Sequence, residues 1–355
     1  MALDTHDDIP EAALAWHRAG QGAALATVVE TWGSAPRAVG AMLAISGSGA
    51  IQGSVSGGCV EGAVVVEALE ALADGACRIL EFGVTDDEAF AVGLACGGTI
   101  RVMVEPVGQG AGWAETLLSD LVAARAERRA VAVETDTGTW SRRLIRPGDA
   151  AGAPAVFSTE RSGFDAERPS VFTAVHMPPL RLAVIGAAHA AQPLVLMARA
   201  SGYDVTVIDP RAAFADSARF PDTALSHDWP DAALQAHGLD RRTAVVTLSH
   251  DPKIDDPALI AALPSKAFYV GALGSTRTHA KRVARLREAG MSDAAIARID
   301  APVGLDIGAQ TPAEIAISVM AEMTERLRRP DSRPDSMPDS RPGQRGERGS
   351  GEAAA

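Results

Sequence analysis

Cysteine and aromatic side chains are scarce in this sequence, and long hydrophobic runs are missing. Only three cysteines occur in 355 residues, and Phe, Trp and Tyr together make up 4%. Three cysteines cannot all pair, and none lies in a Cys-x-x-Cys arrangement, so the sequence predicts neither a disulfide framework nor a structural zinc site. No run approaches the roughly 20 apolar residues that a membrane-spanning helix needs. We therefore expect a reduced, cytoplasmic protein with no membrane partner.

Basic residues are fewer than acidic residues in this chain. The formal net charge is −12 at pH 7, which argues against nucleic acid or an anionic membrane as the main partner. The first ten residues carry Asp4, Asp7 and Asp8 but no basic segment, so no secretory signal is expected. The length is sufficient for two ordinary domains.

The hydrophobic pattern changes in the middle of the chain. Strand-like and helix-like segments are mixed in the first part, and residues 41–55 are typical of a β-hairpin. From Arg181 onward strands and helices alternate, which is typical of a parallel sheet. We predict an α/β fold class, with an N-terminal α/β domain that carries a glycine-rich Cys loop and a C-terminal Rossmann-like parallel-sheet domain. The predicted boundaries are 1–160 for the first domain, 161–180 for an irregular linker, 181–328 for the Rossmann-like domain and 329–355 for a disordered polar tail.

Two of the three cysteines lie beside paired glycines. Gly57 and Gly58 precede Cys59 at the start of a helix predicted at Gly58–Ala73, and Cys96 precedes a second glycine pair. Glycine pairs allow tight turns and close approach of a ligand. A thiol at a helix N-terminus is shifted towards the thiolate, which can bind a soft metal or pass on sulfur. A buried core cysteine is the alternative interpretation, and for Cys77 it is the preferred one.

A glycine turn opens the predicted second domain. Gly186 follows a strand and precedes a helix, and Asp209 ends the next strand, as in dinucleotide-binding domains. However, Ala188 stands where the middle glycine of the fingerprint is expected, and its methyl group would intrude where the backbone approaches a pyrophosphate. The pattern therefore favours a Rossmann fold over ordinary NAD binding. His189 is a candidate contact in this turn, although histidines there are more often structural hydrogen-bonding groups.

A second candidate turn follows the strand predicted at Phe268–Val270. It offers backbone amides, a hydroxyl and a guanidinium ahead of a helix, which suits a phosphate group. An ordinary N-capped connection is the alternative. The candidate residues of this turn are Gly271, Gly274, Ser275 and Arg277, and Ser249, His250 and Asp251 follow the neighbouring strand.

Taken together, these motifs resemble the XdhC/CoxI family of xanthine dehydrogenase accessory proteins over roughly Leu25 to Leu327. In the first domain the likeness lies in Gly33–Arg37, Gly53–Glu61 and Leu94–Gly98. In the second domain it lies in Asp209–Arg211, Ser249–Pro252, Gly271–Ser275, Pro302–Gly308 and Thr311–Ala316. Ala188 departs from the glycine that this family usually has.

The resemblance implies a molybdenum cofactor chaperone, which is more an accessory protein than an enzyme. Such proteins bind the cofactor transiently, as molybdopterin or its dinucleotide form, while a cysteine desulfurase supplies sulfur that replaces an oxo ligand. They then help to insert the cofactor into the large subunit of an apo molybdenum hydroxylase. The resemblance implies that Cys59 and Cys96 contact molybdenum. It also implies that the phosphate side is held by Gly186, Asp209, Gly274, Ser275 and Arg277.

Two other functions remain open at this stage. The second domain could serve an NAD(P)-dependent oxidoreductase, or the chain could be a scaffold that docks on a hydroxylase without touching its cofactor. A homodimer is expected from the apolar, glycine-rich first domain.

Overall fold

The computed structural model describes residues 8–33, 37–84, 98–149 and 153–329. Backbone contacts divide the chain into two units. The first comprises the described residues up to Arg181 together with Ala198–Asp204, and the second comprises Leu182–Met197 and the described residues from Val205. Within these ranges no helix combines the length and apolar character that a membrane span requires.

The first unit contains a five-stranded antiparallel sheet. Its strands are β1 (Ala23–Gly33), β2 (Met42–Ser46), β3 (Ile51–Gly53), β4 (Arg78–Val84) and β5 (Gly98–Pro106), in the order β3-β2-β1-β5-β4. Alternate residues of β1 belong to two different core clusters, with Leu25 in one and Ala24 in the other. Both faces of the sheet are therefore covered, which explains the uninterrupted apolar run of β2. The predicted hairpin is confirmed by the pairing of β2 with β3.

Helices cover both faces of this sheet. They are α1 (Ile9–Arg18), α2 (Glu61–Asp74) and α3 (Glu115–Ala126), and a further helix of the unit is α4 (Ala153–Thr159). α1 and α3 contribute to one core cluster, and α2 contributes Val64, Ala68 and Ala71, spaced as one helical face, to the other. The predicted start of α2 at Gly58 is wrong by three residues, because the left-handed backbone of Gly58 (φ +121°) is incompatible with a helix.

A second antiparallel sheet corrects the expected linker. Its strands are β6 (Val131–Asp136), β7 (Ser141–Ile145), β8 (Gly163–Phe164) and β9 (Val171–His176), in the order β7-β6-β9-β8. The prediction of irregular structure at 161–180 is therefore wrong for β8 and β9. β9 pairs along its whole length with β6, and the prolines at 169, 178 and 179 lie outside the strand, where they cost no ladder hydrogen bond.

The chain from Arg181 onward has the Rossmann arrangement that the sequence predicts. Its strands are β10 (Arg181–Ile185), β11 (Asp204–Ile208), β12 (Ala224–Ser226), β13 (Thr243–Thr247), β14 (Tyr269–Ala272) and β15 (Ile299–Asp300). Its helices are α5 (Ala191–Ala200), α6 (Pro230–His237), α7 (Pro252–Ala262), α8 (Thr276–Glu288), α9 (Asp293–Ile296) and α10 (Pro312–Arg328).

The strand order of this sheet is β12-β11-β10-β13-β14-β15, and the strand pairs with described register run parallel. This is the order of dinucleotide-binding Rossmann sheets. The order reverses between β10 and β13, so a crevice is expected at the carboxyl ends of these two strands.

Candidate functional site

The loop before α2 folds around a carboxylate of its own chain. The backbone N–H groups of residues 55–58 all donate to the Glu61 carboxylate, at 2.9 to 3.2 Å. The Ser54 hydroxyl donates at 2.8 Å, and the Ser56 hydroxyl donates as well. Six donors thus converge on one side chain. We call residues 54–60 with this carboxylate the Cys59 loop.

The electrostatics of Glu61 follow from this arrangement. Burial raises the pKa of its carboxyl group, but hydrogen bonds from Ser56 and Ser54 outweigh burial and lower the pKa from 4.5 to about 2. Glu61 is therefore ionised at neutral pH. Successive backbone N–H groups that surround a negative charge form an anion nest, and here the anion belongs to the protein itself.

Cys59 lies at the exposed part of this loop, as a free thiol. Gly58 before it has φ +121°, a conformation that L side chains rarely adopt, and a Cβ built there would meet no atom within 4 Å. The space beside Gly58 is therefore open. Arg37 donates from Nε to the Ser54 carbonyl at 3.2 Å, so two separate motifs of the sequence meet at this loop.

The second cysteine of the predicted site lies outside the described residues. Cys96 belongs to the undescribed range 85–97, as does most of its motif. Within the described parts of the chain, no three His, Cys, Asp or Glu side chains are grouped to hold a metal ion. A metal bound at Cys59 would therefore bring further ligands with it or take them from elsewhere. Cys77, expected in the core, is half-buried, and Arg142 Nη2 lies 3.3 Å from its sulfur.

Gly186 lies at the switch point of the Rossmann sheet. Its φ is +92°, and a Cβ built there would lie 2.7 Å from Ser249 Cβ and N. Leu248 N–H, just before Ser249, donates to the Ile185 carbonyl at 2.7 Å. Glycine is thus required at this position by the turn that follows β13, whether or not a ligand approaches.

Asp209 is completely buried and fully engaged by protein groups. It accepts hydrogen bonds from the Ala187 N–H at 2.9 Å and from Arg211 through its N–H, Nε and Nη2 at 2.8 to 2.9 Å. Burial raises its pKa, but the hydrogen bonds from Arg211 and Ala187 outweigh burial and lower it. In a dinucleotide fingerprint this carboxylate would bind a ribose hydroxyl. Here its hydrogen bonds instead connect the turn at Ala187 with the turn at Arg211.

The turn after β14 is arranged as a capped helix start. Ser275 Oγ accepts the Thr278 N–H at 3.2 Å and so serves as the N-cap of α8. Arg277 points its exposed side chain away from the core, and His189 in the Gly186 turn is exposed too. Gly271 is buried, and a Cβ built there would lie 2.7 Å from the Tyr269 side chain. Gly271 is therefore required by the packing around β14.

Sequence reasoning missed a buried charge pair at this edge of the sheet. Asp255 of α7 and Arg282 of α8 are each 2% exposed, with Oδ2 and Nη2 4.0 Å apart. Asp255 Oδ1 accepts the Ser249 hydroxyl at 2.6 Å, and Arg282 Nη2 donates to the Leu273 carbonyl at 2.7 Å. The pair therefore ties the turn after β13 to the turn after β14.

The structure thus brings the predicted site residues together in groups that the sequence does not predict. Asp209 and Gly186 share one hydrogen-bonded turn through Ala187, and Gly274 lies beside Arg282, whose Nη2 would be 3.7 Å from an added Cβ. The sequence signals for Asp255 and Arg282 were weak, because a charged residue in a helix usually faces solvent. Cys59, Gly57 and Gly58 belong to the first unit and the remaining described candidates to the second.

Comparison with known proteins agrees with this architecture. Family models match residues 16–83 as the XdhC and CoxI family and residues 182–323 as the XdhC Rossmann domain. The molybdenum cofactor insertion chaperone PaoD of Escherichia coli K12 is 32% identical over 320 residues, which span 90% of this chain and 88% of PaoD.

Two further relatives extend the comparison. A protein of Bacillus subtilis 168 described as a probable xanthine dehydrogenase subunit is 29% identical over 318 residues, spanning 86% of this chain and 94% of that protein. A Bacillus halodurans crystal structure described as a xanthine dehydrogenase superposes with a TM-score of 0.71 at 25% identity, over 93% of this chain and 98% of the other. The chain described here belongs to the XdhC and CoxI family.

Proposed function

We propose that this protein binds the molybdenum cofactor as cargo and delivers it to a molybdenum hydroxylase. The observation that carries the proposal is the similarity to PaoD, which spans 90% of this chain and 88% of PaoD. The aligned length is too great for either unit alone, so the likeness involves both the unit with the Cys59 loop and the Rossmann unit.

The molybdenum side of the cargo is assigned to Cys59, with Cys96 as a second contact. An exposed thiol on a loop held by its own hydrogen bonds supports this assignment, because thiolates bind soft metals and metal–sulfur centres well. Gly57 and Gly58 are the neighbouring contacts that we propose. Gly58 would contribute the open space beside the thiol, while the N–H groups of both glycines stay bonded to Glu61.

The phosphate side of the cargo, as molybdopterin or its dinucleotide form, is assigned to the Rossmann crevice. The exposed Arg277 offers a guanidinium at the N-terminal end of α8, which suits a phosphate group. Asp209 would act indirectly, by holding the Gly186 turn in shape. The other contacts that we propose are Gly186, His189, Gly271, Gly274 and Ser275.

We further propose the course of the reaction and its partners. The cargo stays bound during its sulfuration, for which a cysteine desulfurase is the sulfur source. The sulfurated cofactor then passes to the large subunit of an apo molybdenum hydroxylase. In this role the chain acts as a homodimer and catalyses no reaction of its own.

An NAD(P)-dependent oxidoreductase is the second candidate, and the Rossmann strand order favours it. Two observations weigh against it. Asp209 accepts four hydrogen bonds from protein groups, and Ala188 replaces the glycine beside the expected pyrophosphate. Titration with NADH distinguishes the candidates: micromolar binding with turnover would establish the oxidoreductase, and no binding at millimolar NADH would eliminate it.

The molybdenum and pterin contents of the purified protein test the chaperone proposal. We expect both in similar amounts after expression in a cofactor-producing host, and neither after expression in a host that cannot make the pterin. A Cys59→Ser variant should retain less molybdenum than the wild type. The proposal fails if neither component co-purifies and added cofactor is not retained, and a scaffold that binds only the hydroxylase would then account for the chain.

A further inference from the structure

Most backbone donors of the Cys59 loop are already in use. The N–H groups of residues 55–58 all point at the Glu61 carboxylate, and the Val60 N–H donates to the Ser56 hydroxyl at 2.9 Å. A ligand that reaches this loop therefore meets a thiol and not a cradle of free amides. This raises the question of what Glu61 does.

We propose that Glu61 is the positioning residue of Cys59: its carboxylate is the internal anion around which the loop folds, and it fixes where the thiol is presented. That Cys59 meets molybdenum rests on the function proposed above. That Glu61 shapes the loop stands on the hydrogen bonds of the loop alone.

Both ends of the loop are anchored independently of Glu61. At one end the Ser54 N–H donates to the Met42 carbonyl of β2 at 3.0 Å. At the other end α2 is held on the sheet by buried residues such as Val64. Between these anchors, the Glu61 carboxylate is the group that gathers the loop amides, so its removal should free the middle of the loop and leave the domain folded.

The residues on either side of Cys59 are held through the same cluster. The Gly58 N–H donates to Glu61 directly, and the Val60 N–H donates to Ser56, whose own hydroxyl and N–H donate to Glu61. Val55 and Ser56 are buried, so their N–H groups would lack a partner without the carboxylate. An unpaired buried donor carries the desolvation penalty of a lost hydrogen bond, which favours opening of the loop.

Amide hydrogen exchange and thiol reactivity test this inference on the full chain without any cofactor. In Glu61→Ala, we expect the amides of residues 55–58 to exchange at least about tenfold faster. We also expect the rate at which a neutral maleimide modifies Cys59 in this variant to differ from the wild-type rate. The rate is measured at one fixed pH by mass spectrometry of the peptide that contains Cys59. Glu61→Gln, which keeps one accepting oxygen, should lie between Ala and wild type.

Chemical rescue separates positioning from a general structural effect. Formate is a small carboxylate that fits the space vacated in Glu61→Ala, so added formate should restore slow exchange and the wild-type maleimide rate. It should change neither in the wild type. Glu70→Gln on the same helix is the matched control, because the Glu70 side chain is 63% exposed, and it should behave as wild type.

The inference is overturned if Glu61→Ala folds and shows wild-type exchange at residues 55–58, or if formate has no effect on the freed loop. If Glu61→Ala does not fold, Glu61→Gln carries the test alone, and unchanged exchange in it overturns the inference. Protein that shows the predicted exchange but never retains cofactor would refute the proposed function and leave the role of Glu61 intact.

Discussion

Gly58 is the residue at which the shape of the Cys59 loop can be tested by the smallest change. Its φ of +121° is strained for any residue with a Cβ, although the space around it is open. We expect Gly58→Ala to lower the free energy of unfolding by about 1–3 kcal/mol through backbone strain alone. Urea denaturation measures this change.

Gly62 provides the matched control for that prediction. It lies in α2, its added Cβ would also meet nothing within 4 Å, and it has no positive φ. Gly62→Ala should therefore be neutral or stabilise the protein by up to about 1 kcal/mol. Equal effects of the two substitutions would show that the conformation of Gly58 is not what the loop depends on.

His176 of β9 gives a prediction about pH. Burial lowers its pKa from 6.5 to about 3, and the charge of Arg125 adds to the effect. Below about pH 6.5 the unfolded chain binds a proton at this histidine that the folded protein does not bind, so stability falls as pH falls from 6.5 towards 3. The loss is at most about 1.4 kcal/mol per pH unit.

The measurement compares wild type with His176→Gln, which cannot titrate. Urea midpoints at pH 7 and pH 5 should differ more for the wild type than for the variant, whatever other groups contribute. Parallel pH dependence in the two proteins would mean that His176 takes up its proton in the folded state.

Single-residue roles were only partly predictable from the sequence. Cys59 was expected to be presented by its glycine turn, and it is exposed. The role of Glu61 was hidden, because a glutamate in a first helical turn normally faces solvent near the helix dipole. Four successive N–H groups donate to it in a loop whose Gly57 and Gly58 have positive φ, and that conformation cannot be read from composition.

At the scale of elements, local pairings were predictable and distant ones were not. The β2–β3 hairpin joins residues close in sequence, and its turn residues are visible between two apolar runs. β9 pairs with β6 about 40 residues earlier in the chain, and the prolines around it hid a strand whose Val-Phe-Thr-Ala-Val pattern is otherwise typical. Long-range register is set by tertiary packing, which overrides local propensity.

The helix α7 carries two adjacent aspartates, Asp255 and Asp256. Substituting each of them tests how much the buried ion pair between the turns after β13 and β14 contributes to stability. Asp255 is buried and faces the buried Arg282, whereas Asp256 pairs with Arg285, which is 37% exposed. Removal of Asp255 takes the larger of two counter-charges, those of Asp255 and Asp256, from the buried Arg282 guanidinium. We expect Asp255→Ala to cost about 3–5 kcal/mol.

Asp256→Ala is the control at the next position of the same helix. A partly exposed ion pair contributes about 1 kcal/mol or less, and both substitutions change helix propensity equally. Denaturant titration of the two variants therefore compares the loss of the buried pair with the loss of the partly exposed one. Similar losses from both would show that Asp255 and Arg282 contribute little to the join between the two turns.

At the scale of the whole molecule, alternation of strands and helices was sufficient to predict a Rossmann-like sheet. Its strand order and the commitment of Asp209 to Arg211 required the structure. The two antiparallel sheets of the first unit were seen only as a mixture of strands, because the central β1–β5 pairing spans about 70 residues of sequence. A strand pairing over this sequence distance leaves no local sequence pattern that would predict it.

The overall charge makes a final prediction about cargo loading. A net charge of −12 repels a phosphate-bearing pterin at long range, and salt weakens such repulsion. The Debye length shrinks from about 21 Å at 20 mM to about 7 Å at 200 mM ionic strength. The association rate of molybdopterin, followed by stopped-flow fluorescence, should therefore rise about two- to fivefold over this range, the reverse of the usual behaviour of electrostatically steered pairs.

A substitution of Arg277 tests the local contribution to this association rate. Its exposed guanidinium is the local positive charge that we assign to the phosphate, so Arg277→Glu should slow association at low salt and make the rise with salt steeper. A reversal of equal charge at the other end of β14, such as Lys266→Glu at an exposed position before the strand, should alter the rate much less. A rate that falls as salt increases would contradict the prediction, because it would mean that a local positive field dominates the net charge of the molecule.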